Sequence, residues 1–355
     1  MSLASRPTDV AIIGGGVIGL STALELARAG ATCCVVAANH AGAASAAAAG
    51  LLAPAIGRLS PAVRPFFTGS LSLYDEFLAS LRELDPGLSV LRGLIEVVGE
   101  THEPRDESSP RLSAADVARL EPSLFAPSGG FLHPDDGAID NVRLVQALRR
   151  AVAMHSGITF HAESPADAVQ VTDSQVVVSR ADGSCIQASL VVIAAGAWSP
   201  AIRGLPRPLP VSPLKGQMLA LDATDLEHPV MGDDVYLVPR EREIVVGATA
   251  EHAGFDVATT EPAIAGLAAA AAALCPSLAS ARILRTWAGI RPATPDMLPI
   301  VGRDPDEARI LYACGHSKNG ILLAPATAKA VAALVQERIP EWDLEPFSIS
   351  RFAAL

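Results

Sequence analysis

Four short runs of consecutive apolar residues punctuate the chain: 10–13 (Val-Ala-Ile-Ile), 33–36, 190–193 and 310–314. None alternates with polar residues, which is the pattern of strands buried on both faces. Between the first two, residues 20–29 read as a helix, with Leu20, Leu24 and Ala27 on one face and Gly30 as the stop. Residues 71–84 carry Leu71, Tyr74, Leu78 and Leu81 at helical spacing. Ser113 heads a further helix, with Asp116 at the capping-box position. Residues 141–154 and 321–336 also predict helices, and 262–274 predicts an alanine-rich packing helix. Residues 169–193, turning at Ala181-Asp182-Gly183, predict a hairpin; 235–240 with 244–249 predict a second, Pro239 lying near its turn. Residues 282–291 are extended, and 100–110 and 129–140 read as loops.

Length and charge narrow the class. The chain has 355 residues, enough for about two domains. Its formal net charge is −11, against a nucleic-acid partner, whose phosphates need cations. No apolar stretch reaches the roughly 18 residues of a membrane span, and the first ten residues lack the apolar core of a signal peptide. A cytoplasmic protein is expected. The five cysteines form no CxxC pair and no metal spacing, so they are expected to be reduced thiols, with no metal site.

Candidate chemistry begins where the first apolar run meets Gly14-Gly15-Gly16-Val17-Ile18-Gly19. Strand, GxGxxG and helix together form a dinucleotide-binding fingerprint. Gly14 permits a tight turn, Gly16 lets backbone N–H groups approach a pyrophosphate, and Gly19 lets helix and strand pack closely. The second strand ends in Ala37 rather than an acidic residue for the ribose, and Asn39 offers only a neutral bond. A cofactor that washes out readily is expected. The third apolar run enters Ala194-Ala195-Gly196-Ala197-Trp198, and the fourth enters Gly315-His316-Ser317-Lys318-Asn319-Gly320 before the last helix. A chain that opens on a nucleotide unit and closes on another strand–glycine–helix, with hairpins between, suits FAD better than NAD.

The motifs resemble the glycine oxidases of the D-amino-acid oxidase superfamily, flavoenzymes linked to thiamine biosynthesis. The matching stretches are GGGVIG (14–19), SAAAAGLLAP (45–54), VVIAAGAW (191–198), LKGQML (214–219), VYLVPR (235–240), VVGAT (245–249), WAGIRPATPD (287–296), LPIVGRDP (298–305) and GHSKNGILLAPAT (315–327). The resemblance implies an α/β (α+β) fold, a Rossmann-like FAD-binding domain interleaved with an antiparallel-sheet substrate domain. The expected segments are 1–85, 137–205 and 288–355 for FAD, and 86–136 and 206–287 for substrate. It implies oxidative deamination of glycine, other small amines or D-amino acids to a keto acid, ammonia and hydrogen peroxide, by hydride transfer to flavin N5 with molecular oxygen as acceptor. A homo-oligomer is expected.

Carried over residue by residue, the resemblance makes Arg291 the substrate-carboxylate clamp, a fixed fork suited to two parallel bonds. Tyr236 stands beside the substrate, and Lys318 replaces an arginine on the site's rim. Cofactor contacts are expected from Gly14, Gly16, Val17, Ile18, Asn39, Ser45, Ala46, Ala49, Gly50, Leu51, Ala166, Ala195, Gly196, Trp198, Gly315, His316, Lys318, Asn319, Gly320, Ile321 and Leu322. On the residues alone, Arg291 reads first as a sheet-edge arginine in a surface ion pair, and the alternative for Tyr236 is an ordinary half-buried strand tyrosine. His316 is a rival proton acceptor to a base-free reaction. Ala250, where a bulkier residue is expected, points to a wider substrate range. No cysteine near Arg291 would tether a flavin, so FAD is expected to be non-covalent. A quinone- or protein-linked dehydrogenase and a flavoprotein that only binds a ligand remain alternatives.

Overall fold

The computed structural model describes residues 8–57, 59–98, 109–233 and 235–352, so nearly all of the 100–110 segment lies outside the described residues. The chain opens with β1 (Thr8–Ile13), α1 (Val17–Arg28), β2 (Cys33–Val36), α2 (Ala44–Ala47) and β3 (Leu51–Leu52). Then come α3 (Arg64–Ser72), α4 (Tyr74–Ala79), β4 (Val90–Val97), β5 (Arg111–Leu112), α5 (Ala114–Leu120) and β6 (Gly130–Ile139). Next are α6 (Asn141–Met154), β7 (Ile158–His161), β8 (Ala166–Val171), β9 (Val176–Arg180) and β10 (Cys185–Ile193). The rest holds β11 (Ser212–Leu221), β12 (Val230–Met231), β13 (Tyr236–Arg240), β14 (Glu243–Gly247), α7 (Glu261–Leu274), β15 (Ile283–Ala293), β16 (Ile300–Arg303), β17 (Ile310–Cys314) and α8 (Gly320–Val335).

The four apolar runs become neighbours in one sheet of order β16-β17-β10-β1-β2-β7. β17, β10, β1, β2 and β7 are parallel, and Ile13 lies level with Ile193 and Val36. Parallel pairing aligns the carboxyl ends, so the loops after β1, β2, β10 and β17 leave from one edge, where such sheets bind ligands. Both faces are covered, which is why these strands carry no polar alternation. Leu20 and Leu24 of α1, Leu148 of α6 and Val331 of α8 pack on one face. Val176 and Val178 of β9 pack near Ile193 and Tyr312 on the other.

The second sheet has order β15-β11-β14-β13-β12-β4-β6-β3, with β5 on β6. Leu219, Leu221 and Val246 bury one of its faces against Val117 of α5 and Leu267 and Ala271 of α7. The opposite face, toward the first sheet, carries the residues described below. Ser113 and Asp116 make the expected reciprocal cap of α5.

Three sequence expectations are corrected. The helix expected over 71–84 is two helices, α3 and α4, broken at Leu73 and ending at Ala79. Leu71, Tyr74, Leu78 and Leu81 are buried all the same, because Ser70 Oγ and Tyr74 Oη donate to the Leu322 and Ile321 carbonyls and pin both pieces to α8. The loop expected over 129–140 is the strand β6. Its loop-forming residues, Pro134 and Asp135, fall where the register with β4 shifts between Arg92 and Leu94, a bulge that needs no ladder bond from proline. The hairpin expected over 169–193 is three strands, since a further turn at 172–175 separates β8 from β9.

Candidate active site

A continuous cavity of about 1180 Å³ runs along the carboxyl edge of the first sheet and onto the facing side of the second. At one end is the glycine turn. Gly14 has φ +133°, and a Cβ there would sit 2.1 Å from the Ala194 carbonyl oxygen; one on Gly19 would sit 1.9 Å from that of Gly14. Glycine is required at both positions for the turn to form and for α1 to dock on it. The Val17 N–H at the start of α1 donates to Ser45 Oγ at 3.0 Å.

The wall from Ala43 to Ala49 holds only alanine and Ser45, and its carbonyls are engaged by side chains. Asn141 Nδ2 donates to the Ser45 and Ala46 oxygens (2.8 and 3.2 Å), and Trp287 Nε1 to that of Ala47 (2.9 Å). Arg240 Nη2 in turn holds Asn141 Oδ1 at 2.6 Å. Gly50 (φ +85°) abuts the Ile139 carbonyl and turns the chain into β3. Ala37, just after β2, has both backbone groups bonded, to His161 and Ser164, and no carboxylate stands at that position. The ring of Trp198 is stacked between His40 (centroids 4.1 Å apart) and Phe255 (5.1 Å).

The other end is set by strand alternation. In register, Tyr236 faces Gly247, Gly247 faces Met218, and Met218 faces Trp287. Two residues along, Gly216 faces Gly289, and Leu214 then faces Arg291. A period of two puts all of these on one face. A Cβ on Gly216 would lie 2.4 Å from the Arg291 guanidinium, and one on Gly247 2.4 Å from Tyr236 Oη. Both candidate side chains therefore lie flat over glycine. Arg291 Nη1 donates to the Thr249 carbonyl at 2.9 Å. Burial pushes the Tyr236 phenol up, and the Arg291 guanidinium beside it partly offsets that.

The sequence profile of the FAD dependent oxidoreductase family matches residues 9–334. The chain belongs to that family. It is 34% identical to a bifunctional ThiO/ThiG protein of Trichormus variabilis, covering 97% of this chain and 55% of that protein. It thus spans about half the length of the first curated relatives it matches. It is 33% identical to a glycine oxidase of Geobacillus kaustophilus, over 97% of each chain. The crystal structure of glycine oxidase from that organism superposes with a TM-score of 0.89 at 30% identity, covering 98% of this chain and 99% of that one. Iminodiacetate oxidase from Chelativorans sp. BNC1 gives 0.86 at 27% identity, covering 96% and 98%.

The donor set fits the family's cofactor. Backbone amides and Ser45 gather at the amino end of the 12-residue α1, and a wall of small residues leads from them to the face bearing Arg291. The expected residues Gly14, Gly16, Val17, Ile18, Asn39, Ser45, Ala46, Ala49, Gly50 and Leu51 line this cavity, as do Ala166, Ala195, Gly196 and Trp198. So do Gly315, His316, Lys318, Asn319, Gly320 and Ile321, with Arg291, Tyr236 and Ala250. Leu322 is not on the wall; its side chain is packed in the core. Lys318 is exposed, in the turn Ser317–Asn319 that packs against β15. His316 is buried, with Nε2 3.1 Å from Thr327 Oγ1, and burial pushes it down to about 3. A group so weakly basic takes up no proton at neutral pH, so the rival role as proton acceptor finds no support in its surroundings.

Sequence reasoning missed Gly216, Gly247, Gly289, Met218 and Thr249. Counting back by two from Arg291, and across from Tyr236, would have found the glycines once the strand pairing was known.

Proposed function

We propose that the chain oxidises glycine and other small amino acids or amines, with FAD held non-covalently. The balanced reaction for glycine takes up one oxygen and one water and yields glyoxylate, ammonia and hydrogen peroxide. The observation that carries this reading is the pairing of the Arg291 fork and the Tyr236 hydroxyl over glycine, on the face that borders the cofactor cavity.

When bound, FAD supplies the acceptor for the hydrogen and electron pair of the substrate's α-carbon. The chain supplies orientation. Arg291 grips the carboxylate by parallel charge-assisted bonds. Tyr236 closes the same group from the side. The Gly216 and Gly247 floor fixes how deep the substrate sits. Loss of translational freedom, rather than a protein base, is the main contribution. Of the five cysteines only Cys314 borders the cavity among the described residues, and burial pushes its thiol up to about 12. A neutral thiol is a poor nucleophile, which supports a non-covalent cofactor.

Segments 1–85, 137–205 and 288–355 would serve the cofactor, and 86–136 and 206–287 the substrate. No helix among the described residues is long and apolar enough to cross a membrane, and we place the enzyme in the cytoplasm as a homo-oligomer that uses molecular oxygen. A second reading follows from Lys318. A cation on the same cavity, in a turn packed against the strand of Arg291, favours amines that carry a second carboxylate. The test of both is peroxide release with glycine, sarcosine, D-alanine, D-proline and iminodiacetate. Turnover of the first four supports the leading reading, and turnover of iminodiacetate alone supports the second. Flavin reduction without peroxide would instead indicate a dehydrogenase.

A further inference from the structure

Residues just past β14 do something the ladder alone does not require. Met218 pairs with Gly247, yet Lys215 pairs with Glu251. Three steps along β11 are matched by four on the facing strand, so one extra residue is accommodated between Gly247 and Glu251. This is a bulge beside a site, where such irregularities re-aim groups. Its consequence is visible in the hydrogen bonds. The Gln217 N–H donates to the side-chain oxygen of Thr249 at 2.8 Å. The Thr249 carbonyl is then available to Arg291 Nη1.

The bulge is pinned from the far face of the sheet. Thr249 Oγ1 donates to Glu251 Oε1. Gln217 is fully buried, and its Nε2 donates to the same carboxylate at 2.9 Å while its Oε1 accepts from the Thr260 N–H at 2.7 Å. Lys215 exchanges both backbone bonds with Glu251 and sends Nζ to Asp256 at 2.7 Å. Gln217 and Lys215 are buried while Glu251 and Asp256 reach toward the surface, and every polar end in the cluster has a partner, the condition under which such a network fixes one geometry.

We propose that Glu251, acting through the Thr249 hydroxyl and the bulge, is a positioning residue that aims the Arg291 fork at the substrate carboxylate. Glu251 does not border the cavity, so it touches neither substrate nor cofactor. Its effect is on the affinity for carboxylates. The inference rests on the reading of Arg291 given above.

The test uses the FAD-loaded protein and two readouts. Acetate, which cannot be oxidised, is titrated against the flavin absorbance spectrum to give a Kd; glycine gives KM and the limiting rate of anaerobic flavin reduction. Thr249→Val and Glu251→Ala should raise both the acetate Kd and the glycine KM by about tenfold, the scale of one lost hydrogen bond. The limiting rate should stay within about threefold. Glu251→Gln and Thr249→Ser keep the acceptor and the hydroxyl, and should remain near wild type. Thr249→Val is nearly isosteric and carries the test if Glu251→Ala does not fold. Wild-type acetate and glycine constants in Thr249→Val would overturn the proposal, as would a fall in limiting rate at unchanged Kd. A wild-type protein that neither binds acetate nor is reduced by glycine would refute the reading of Arg291 itself, a different outcome.

Discussion

At the scale of single residues, the proposed site separates groups that would touch ligand from groups that shape the cavity. Arg291 was legible in the sequence as a candidate clamp only through its neighbours in WAGIRPATPD; as an isolated arginine it reads first as a surface ion-pair partner. Strand register lays the guanidinium over Gly216 on the cavity wall, which supports the clamp proposed above. His316 shows the opposite case. Its position in a glycine loop suggested chemistry, whereas its burial against Thr327 suggests packing. A consequence follows for stability. An unfolded histidine binds a proton below about pH 6.5, while His316 in the fold resists one down to about 3. The unfolded state therefore gains protons first as pH falls, and stability drops by up to about 1.4 kcal/mol per pH unit across that window. His316→Asn should lose that component. Urea unfolding at pH 5 and pH 7 should show a smaller difference in the variant, by about 2 kcal/mol; an unchanged difference would place the acid sensitivity elsewhere.

At the scale of elements, two kinds of glycine behave differently. Gly19 meets backbone, since a Cβ would lie 1.9 Å from the Gly14 oxygen. At Gly216 and Gly247 the nearest atoms are the far ends of Arg291 and Tyr236. Gly19→Ala should cost solubility or cofactor. Gly216→Ala and Gly247→Ala should fold and keep flavin, but raise the KM for glycine by an order of magnitude or more as the displaced side chain lifts into the substrate's space. Thermal melts beside steady-state kinetics would separate the two classes. The apolar runs that became β1, β2, β10 and β17 were readable because burial on both faces leaves an unmixed pattern. β6 was not, because Pro134 and Asp135 sit in its bulge and look like a loop to any local reading. The break at Leu73 escaped for a related reason: the apolar spacing continues through it, and the pins to α8 come from residues about 250 positions away.

At the scale of the whole molecule, the cavity is made by two sheets meeting. The first contributes its carboxyl edge and the second a face floored with glycine. Neither sheet is contiguous in the chain, and β3 and β15 bring early and late residues into the second one. The GxGxxG turn and closing glycine loop were visible as candidate cofactor elements, while the face opposite them emerged only with the pairing of β11, β14 and β15. The cofactor end also lacks one anchor. Ala37 occupies the position where a carboxylate would hold the ribose, and its backbone is already committed. We expect prolonged dialysis against salt to release FAD, with activity restored by adding it back; stoichiometric flavin after dialysis would show that other contacts suffice.

The proposed reaction depends most on Arg291 holding the substrate's carboxylate, and anaerobic titration with glycine in a stopped-flow spectrometer tests that directly. Flavin absorbance should bleach in the wild type, with saturation. In Arg291→Ala, with its flavin spectrum intact, the glycine concentration for half-maximal bleaching should rise at least about a hundredfold, the cost of a charge-assisted pair. Bleaching of Arg291→Ala at wild-type glycine concentrations, or no bleaching of the wild type, would contradict it.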